Sequence, residues 1–464
     1  MRTMLQRVSR HKTAIAVAGL RAALYVGLAV LFFGLMAVNN WQLLHLSRTL
    51  ATTLLTWAAM TVAMTSVYGG YDVGRRKSKP LISSLSLGAL VTDVVTYLQL
   101  QIMNVNENNN PSLQLFGRDF PYLILCMAVQ VVFIVLLTYQ GNKLYFRLNP
   151  PRKCLLVLSD VSRREYCARK IGRYALQWQL SDVVLWNDRK MEKHIARAEV
   201  VFLDSGIPDE IRQKLLKICY QHKRDVIVKA QLQDIMLSSA RQVVVDDAPF
   251  LEMDYHKITL GQRIIKRCMD IFCSGLALIV LSHLLGLVAL AIYLEDGAPI
   301  IFRQKRATIS GHTFTICKFR TMKNNAPAVS ATEGDDRITR VGRWLRRLRI
   351  DELPQLWNIL MGDMTLVGPR PEMLENVQKY KIELPAFAYR EKMKAGLTGY
   401  AQIEGRYNTT PEDKLMLDLM YIESFSLWED IKLIFRTLTV FFKSESTQGF
   451  AQEAGEERKK DVSA

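Results

Sequence analysis

Four long apolar runs occupy the first third of the chain, at residues 14–38, 50–68, 81–103 and 121–139. Each approaches the ~20 residues that a helix needs to cross the hydrocarbon core of a bilayer. The pattern predicts four transmembrane helices. The first run follows a basic start, but it is too long for a signal-peptide core and three more runs follow it, so it reads as a span. Beyond residue 148 the pattern changes. Short apolar stretches at 154–158, 182–185, 199–203 and 225–228, with a helical pattern at 211–220, predict a parallel α/β sheet. The turn after the first stretch reads Ser159-Asp160-Val161-Ser162-Arg163, without Gly-x-Gly-x-x-Gly. Its backbone could not closely approach a pyrophosphate, so the expectation is a degenerate Rossmann-like domain with structural or regulatory use.

A fifth apolar run, 271–294, is also long enough to span. Lys257, Arg263, Lys266 and Arg267 precede it, and Arg303, Lys305 and Arg306 follow it. Cations on both flanks imply that both lie in the cytoplasm. The reading is a re-entrant helix that dips into one leaflet and returns, with a plain fifth span and the remainder outside as the alternative. The break it needs is expected at Ser282-His283 or Gly286, with His283 a bend or interface residue and not a metal ligand.

Loop charges orient the four-span unit. Arg2, Arg7, Arg10 and Lys12 precede the first span; Arg75, Arg76, Lys77 and Lys79 lie between the second and third; Lys143, Arg147, Arg152 and Lys153 follow the fourth. The two remaining loops hold Arg48 and Arg118. Both ends of the unit therefore read as cytoplasmic, and the Asn-rich piece 104–110 as an external loop. Arg21 reads as an interface marker, and Asp93, inside a span, carries no assigned partner.

A net charge of +17 implies anionic partners, phospholipid or nucleotide. Nucleic acid is disfavoured, because no zinc-finger, basic-zipper or RNA-binding signature occurs. The seven cysteines are scattered, with no Cys-x-x-Cys, and read as reduced. The expected domains are a four-helix transmembrane domain at 1–148, the Rossmann-like cytoplasmic domain at 149–254, an α-rich catalytic domain at 255–445 and a disordered tail at 446–464.

The chemistry collects in the last of these domains. Phe314 to Met322 alternates, placing Lys318 and Arg320 on one strand face, where two cations can clamp a diphosphate. Val341, Trp344, Leu345 and Leu348 recur at helical spacing beside Arg340, Arg343, Arg346 and Arg347, the pattern of an amphipathic helix lying in the headgroup layer. Asp351-Glu352-Leu353-Pro354 follows. Adjacent helical residues point ~100° apart, so two neighbouring acids do different jobs: one can attack while the other orients a metal.

Lys266-Arg267-x-x-Asp270, Phe302-Arg303-Gln304-x-Arg306, Lys318-Phe319-Arg320-Thr321-Met322, Asp351-Glu352-Leu353-Pro354-Gln355, Asn358-x-Leu360-x-Gly362-Asp363-Met364, Val367-Gly368-Pro369-Arg370-Pro371-Glu372 and Gly396-Leu397-Thr398-Gly399-Tyr400-Ala401-Gln402 stand in that order. Together they resemble the bacterial sugar transferase family, the monotopic polyprenyl-phosphate phosphoglycosyltransferases. With the membrane and α/β regions, the chain looks like the family's long form, similar to undecaprenyl-phosphate glucose- or galactose-phosphate transferases. The resemblance implies transfer of a sugar phosphate from a UDP-sugar to polyprenyl phosphate, with UMP released. It makes Asp351 the nucleophile, Glu352 the metal-associated acid and Mg²⁺ the cofactor held by both. Arg346, Pro369, Arg370 and Pro371 would bind phosphate or nucleotide, with Lys318 and Arg320 behind them. Lys266, Arg267, Asp270 and Ser282 would meet membrane and lipid phosphate. It also implies the bacterial inner membrane, a cytoplasmic catalytic face and a role in exopolysaccharide, capsule or O-antigen synthesis.

The chain departs from the family pattern in four places. Ser282-His283 stands for Ser-Pro, Thr308 lies where a glycine is usual, Leu348-Arg349 replaces Thr-Ser, and Ala395 replaces a proline. The sugar and any homo-oligomer are not readable. The competing functions are a glycosyltransferase releasing UDP and a non-catalytic membrane scaffold or sensor.

Overall fold

The computed structural model describes residues 2–104, 113–253, 258–323, 335–405 and 410–440. Most of the Asn-rich piece and the whole expected tail lie outside these residues. The chain divides into two compact units, Met1–Gln231 and Leu232–Ala464. Among the described residues, five helices are long and apolar enough to cross a membrane.

The first unit begins with helices α1 (Arg2–Met36), α2 (Arg48–Tyr68), α3 (Ser78–Met103) and α4 (Phe120–Leu148). Leu24, Phe32, Leu81, Leu100, Cys126 and Ile134 pack between them. Val26, Leu55, Val62 and Val132 remain more than half exposed. Apolar side chains on the outer surface suit hydrocarbon surroundings better than water. At one end of the bundle Asp119 accepts hydrogen bonds from Asn39, Asn40 and Gln101, tying three helices together. Arg21 donates to the Tyr71 carbonyl and pairs with Asp72, so it holds the turn after α2. Asp93 is fully buried, with the Cys126 thiol beside it at 3.8 Å.

Strands β1 (Arg152–Leu158), β2 (Trp178–Leu185), β3 (Val200–Leu203) and β4 (Asp225–Val228) form a parallel sheet in the order β2-β1-β3-β4. Helices α5 (Arg164–Gly172), α6 (Met191–Arg197) and α7 (Asp209–Gln221) connect them. The alternation in the sequence placed all four strands, because a parallel sheet buries both faces and leaves short apolar runs. Ligands of such sheets sit where the strand order reverses, here between the C-terminal ends of β1 and β3. That place is filled by the chain itself: the Ser159 hydroxyl donates to Asp204 at 2.7 Å, and Arg163 pairs with the same carboxylate at 3.1 Å. On the membrane side of this unit, Gln177 donates to the Arg75 carbonyl, and Lys77 lies over the Tyr174 ring.

The second unit starts at Leu232, earlier than the expected boundary at 254. Its opening helix α8 (Leu232–Leu237) places Ile235 in the core with Phe314, Leu356, Phe387 and Leu419. A hairpin of β5 (Arg241–Val245) and β6 (Ala248–Glu252) follows, then α9 (Leu260–Asp296). Thr259 and Gln262 form a capping box at the start of α9. The break expected at Ser282-His283 is absent, and the helix runs unbroken through it. Without proline every amide can keep its i→i−4 partner, and the apolar run favours helix. Ser282 bonds back to the Ile279 carbonyl at 2.8 Å and lies 3.4 Å from His283 Nδ1. The rest is β7 (Ile301–Ala307) paired antiparallel with β8 (Thr313–Phe319), α10 (Arg340–Arg347), α11 (Gln355–Met361), β9 (Thr365–Val367), α12 (Leu374–Glu383), β10 (Gly396–Thr398) parallel to β9, α13 (Tyr400–Ile403), α14 (Pro411–Glu423) and α15 (Leu427–Val440).

Both ends of α9 pack on the same body. Near its start Lys266 and Asp270 are buried against β9 and α15. Near its end Val288 and Ile292 pack with Phe319 and Leu345. Between them Ile279 is 74% exposed and Val280 66%. A helix of this length is roughly 55 Å long, against ~30 Å of bilayer hydrocarbon.

Candidate active site

The site is built on a short helix and a tight reversal. Thr339 caps α10 by accepting from the Gly342 amide, and Glu295, at the end of α9, accepts from the Arg340 and Val341 amides. Gly342 is required by close approach: a Cβ there would meet the Thr321 carbonyl at 2.2 Å. Leu345 turns inward, but Trp344 is 66% exposed, so the apolar positions of this helix split between core and surface. At its end Arg349 adopts φ +52°, ψ +22°. This left-handed position usually falls to glycine, and a side chain there costs about 1–2 kcal/mol. The reversal leads into a 3₁₀ turn, Ile350–Glu352, which presents both acids just before α11.

The acids differ in their surroundings. Glu352 accepts a hydrogen bond from Lys318 Nζ at 2.8 Å, with Arg349 Nη1 4.0 Å from its other oxygen. Burial opposes its ionisation, but Lys318, Arg370 and Arg349 outweigh burial and hold its carboxyl below the usual range. No hydrogen bond reaches the Asp351 carboxylate among the described residues. Burial and the neighbouring Glu352 charge push its carboxyl up, against Lys318, Arg346 and Arg349.

Two further elements complete the cation cluster. Arg346 donates from Nε to the Thr321 hydroxyl at 2.8 Å. Arg370 sits in the loop after β9, beside Glu352 electrostatically. Its carbonyl accepts from Arg390, which forms a buried ion pair with Asp418 at 2.6 Å, and the Pro371 carbonyl accepts from Arg306. The Pro369-Arg370-Pro371 loop is fastened by backbone packing. The Gly396 amide donates to the Pro369 carbonyl at 2.9 Å and the Gly368 amide to the Thr398 carbonyl at 2.8 Å. A Cβ on Gly396 would meet the Gly368 nitrogen at 2.1 Å, and one on Gly399 the Gly368 oxygen at 2.3 Å. Two separate sequence motifs are thus one structural joint.

Several expected site residues do other work. Arg320 does not share a strand face with Lys318. The strand ends at Phe319, and the Arg320 guanidinium pairs with Asp296 at 3.1 Å and donates to the Asp296 and Gly297 carbonyls at the end of α9. Lys266 and Asp270 are 9% and 3% exposed and cannot meet lipid phosphate. Lys266 binds Asp430, the Tyr421 hydroxyl and the Val367 carbonyl, while Asp270 accepts from Thr365 and the Leu366 amide. Arg267 donates to the Ile359 and Leu360 carbonyls at the end of α11. Ser282 is exposed on α9. The motif does form an ion pair, Lys266 with Asp430, and it joins α9 to α15. Sequence reading passed over Arg349, Arg306 and Arg390. The first two stand in or beside quoted motifs; Arg390 gives no local signal, since its role exists only through Asp418 on α14.

No group of three His, Cys, Asp or Glu residues that could hold a metal occurs among the described residues. Mg²⁺ needs no such cage: one or two carboxylates, substrate phosphates and water suffice. The oxygen donors of Asp351 and Glu352 fit that limited role.

A family model described as "Bacterial sugar transferase" matches residues 261–444. The chain is similar to the UDP-glucose:undecaprenyl-phosphate glucose-1-phosphate transferase of Caulobacter vibrioides, 45% identical over 181 residues, 37% of this chain and 68% of that protein. The UDP-N-acetylgalactosamine-undecaprenyl-phosphate N-acetylgalactosaminephosphotransferase of Aeromonas hydrophila is 42% identical over 180 residues, 38% of this chain and 43% of the relative. The UDP-glucose:undecaprenyl-phosphate glucose-1-phosphate transferase of Escherichia coli is 40% identical over 200 residues, 41% of each chain. The match therefore spans less than half the length of the last two relatives.

Proposed function

The chain belongs to the bacterial sugar transferase family, and we propose that it moves a sugar phosphate from a UDP-sugar to polyprenyl (undecaprenyl) phosphate, releasing UMP. The observation that carries this reading is the division of labour between Asp351 and Glu352 inside a cluster of Lys318, Arg346, Arg349 and Arg370. Glu352 is held by Lys318, whereas among the described residues no donor reaches the Asp351 carboxylate, which leaves it poised to attack. In the first step an Asp351 oxygen bonds to the sugar-bearing phosphorus, and the bond from that phosphorus to the bridging oxygen breaks. The electron pair leaves on UMP. In the second step a polyprenyl phosphate oxygen attacks the aspartyl phosphosugar, the carboxylate leaves, and polyprenyl-diphospho-sugar is formed. Lys318, Arg346 and Arg370 stabilise charge on the transferring phosphoryl group. Mg²⁺, held by Asp351 and Glu352, would neutralise diphosphate charge.

We place this chemistry at the cytoplasmic face of the bacterial inner membrane. Four helices of the first unit would span, with both ends inside. Support comes from their loop charges and from the contact of the α/β sheet with the 75–77 loop. Helix α9, being unbroken, would lie with its apolar middle in one leaflet without crossing, which its packing at both ends and the exposure of that middle favour. The product class suits the first membrane step of exopolysaccharide, capsule or O-antigen synthesis. The deciding experiment supplies labelled UDP-sugar without lipid acceptor and seeks label esterified to Asp351, with UMP measured across a panel of UDP-sugars. Release of UDP instead would identify a glycosyltransferase, and absence of any nucleotide product a non-catalytic role.

A further inference from the structure

We infer that Arg349 is a phosphate-binding residue of this site, gripping substrate oxyanion together with Arg370; this rests on the phosphotransfer reading above. Arg349 occupies the left-handed position that ends α10, where glycine is the unstrained choice. An arginine held there against its backbone preference points to a use for the side chain. Helix termination does not explain it, because the backbone bonds that make the turn, from the Arg349 amide to the Arg346 carbonyl and from the Glu352 amide to the Arg349 carbonyl, need no side chain.

The Arg349 side chain is 21% exposed, and the 4.0 Å from its Nη1 to Glu352 is the limit of an ion pair. Glu352 already has Lys318 at 2.8 Å. Lys318, Arg346, Arg349 and Arg370 all act on the acid pair, so four cations face two carboxylates. Arg349 and Arg370 also repel one another. Two forks of like charge become mutually favourable when an anion lies between them, and a planar guanidinium suits phosphate oxygens. The oxyanion comes from the nucleotide donor's diphosphate or from the lipid acceptor's phosphate, and separate kinetic arms distinguish them.

The test compares Arg349→Gly and Arg349→Lys in the full-length protein, in nanodiscs. Glycine suits the backbone and removes the cation; lysine restores charge without the fork. A phosphate ligand predicts that Arg349→Gly melts no lower than wild type while KM rises about 10- to 100-fold for the UDP-sugar or for undecaprenyl phosphate, and that Arg349→Lys recovers part of the loss. A rise in the donor KM assigns the diphosphate; a rise in the acceptor KM assigns the lipid phosphate. Both KM values within twofold of wild type overturn the inference. So does a loss of activity that tracks a lowered melting temperature with lysine no better than glycine. If the wild type releases no UMP from any donor, the reaction reading has failed on its own. Calorimetric titration of UDP into wild type and Arg349→Gly then decides the arginine: weaker binding by the variant supports it, and equal affinity or no binding overturns it.

Discussion

Asp351 and Glu352 are chain neighbours of the same chemistry, and their surroundings divide them. The sequence made this pair conspicuous and the family resemblance implied a role for each acid; the spacing alone could not separate them, because the lysine that holds Glu352 comes from β8. The consequences for Asp351 are measurable. Its carboxyl is pushed up from 3.8 to about 6 by burial and then by the Glu352 charge. The folded chain thus binds this proton more tightly than the unfolded one. The stability so contributed is complete below about 3.8 and is lost as pH rises through about 6. At pH 7.5 the ionised side chain is therefore a cost, on the order of 1–2 kcal/mol once partial exposure is allowed for. Asp351→Asn is expected to melt higher than wild type by a few degrees at that pH and to lose UMP release by at least about a thousandfold. Differential scanning fluorimetry and a UMP assay check both. In the wild type, UMP release should fall as pH drops through about 6, and a rate flat down to pH 5 would rule out an Asp351 nucleophile of this kind.

At the level of elements, local patterns were readable where they were set locally. The four parallel strands of the first unit were found because alternation and burial act within a few residues. Lys318 and Arg320 were misread together because the strand stops at Phe319, and what stops it is the end of α9, which recruits Arg320. Likewise Lys266, Arg267 and Asp270 look like headgroup contacts in sequence, and only the arrival of α11, β9 and α15 turns them into struts, Lys266 and Asp270 buried and Arg267 partly so. The Gly-Pro-Arg-Pro and Gly-Leu-Thr-Gly motifs were recognised as separate signals. Their glycines in fact abut: Gly396 and Gly399 lie so close to the Gly368 backbone that neither can carry a Cβ. Gly396→Ala puts a methyl onto the backbone of Gly368, with no flexible side chain to yield. The expected cost is about 2–3 kcal/mol. The displaced loop should also move Arg370, so UMP release should fall by more than the loss of folded protein explains. Thermal melts set beside activity per folded molecule test this, and an alanine variant with wild-type melting and turnover would show that the joint is not tight.

For the whole molecule, hydropathy announced five membrane helices but not how the fifth is used. Its two ends pack on one body, and that fact is invisible in a window of apolar residues. In a cysteine-free background, Gly261→Cys sits in the first turn of α9 and Thr313→Cys beyond its far end, and the first has open space around it. Membrane-impermeant maleimide should label both in inverted vesicles and neither in intact spheroplasts; labelling on opposite sides would make α9 a true span. The expected domain boundary at 254 and the division at Leu232 differ for a physical reason: α8 and the β5–β6 hairpin look like the end of an α/β pattern, whereas Ile235 of α8 is 4% exposed among core residues of the second unit. Ser239, in the turn behind it, bonds Glu423 of α14 at 3.1 Å. A fragment of residues 232–464 should therefore insert in membrane, melt cooperatively and release UMP from the donor used by the full chain. A fragment of residues 255–464 loses α8 and opens a cavity where Ile235 packed, which costs about 2–5 kcal/mol. It should melt well below the longer fragment and lose turnover in step. Equal melting of the two fragments would return the boundary to residue 254.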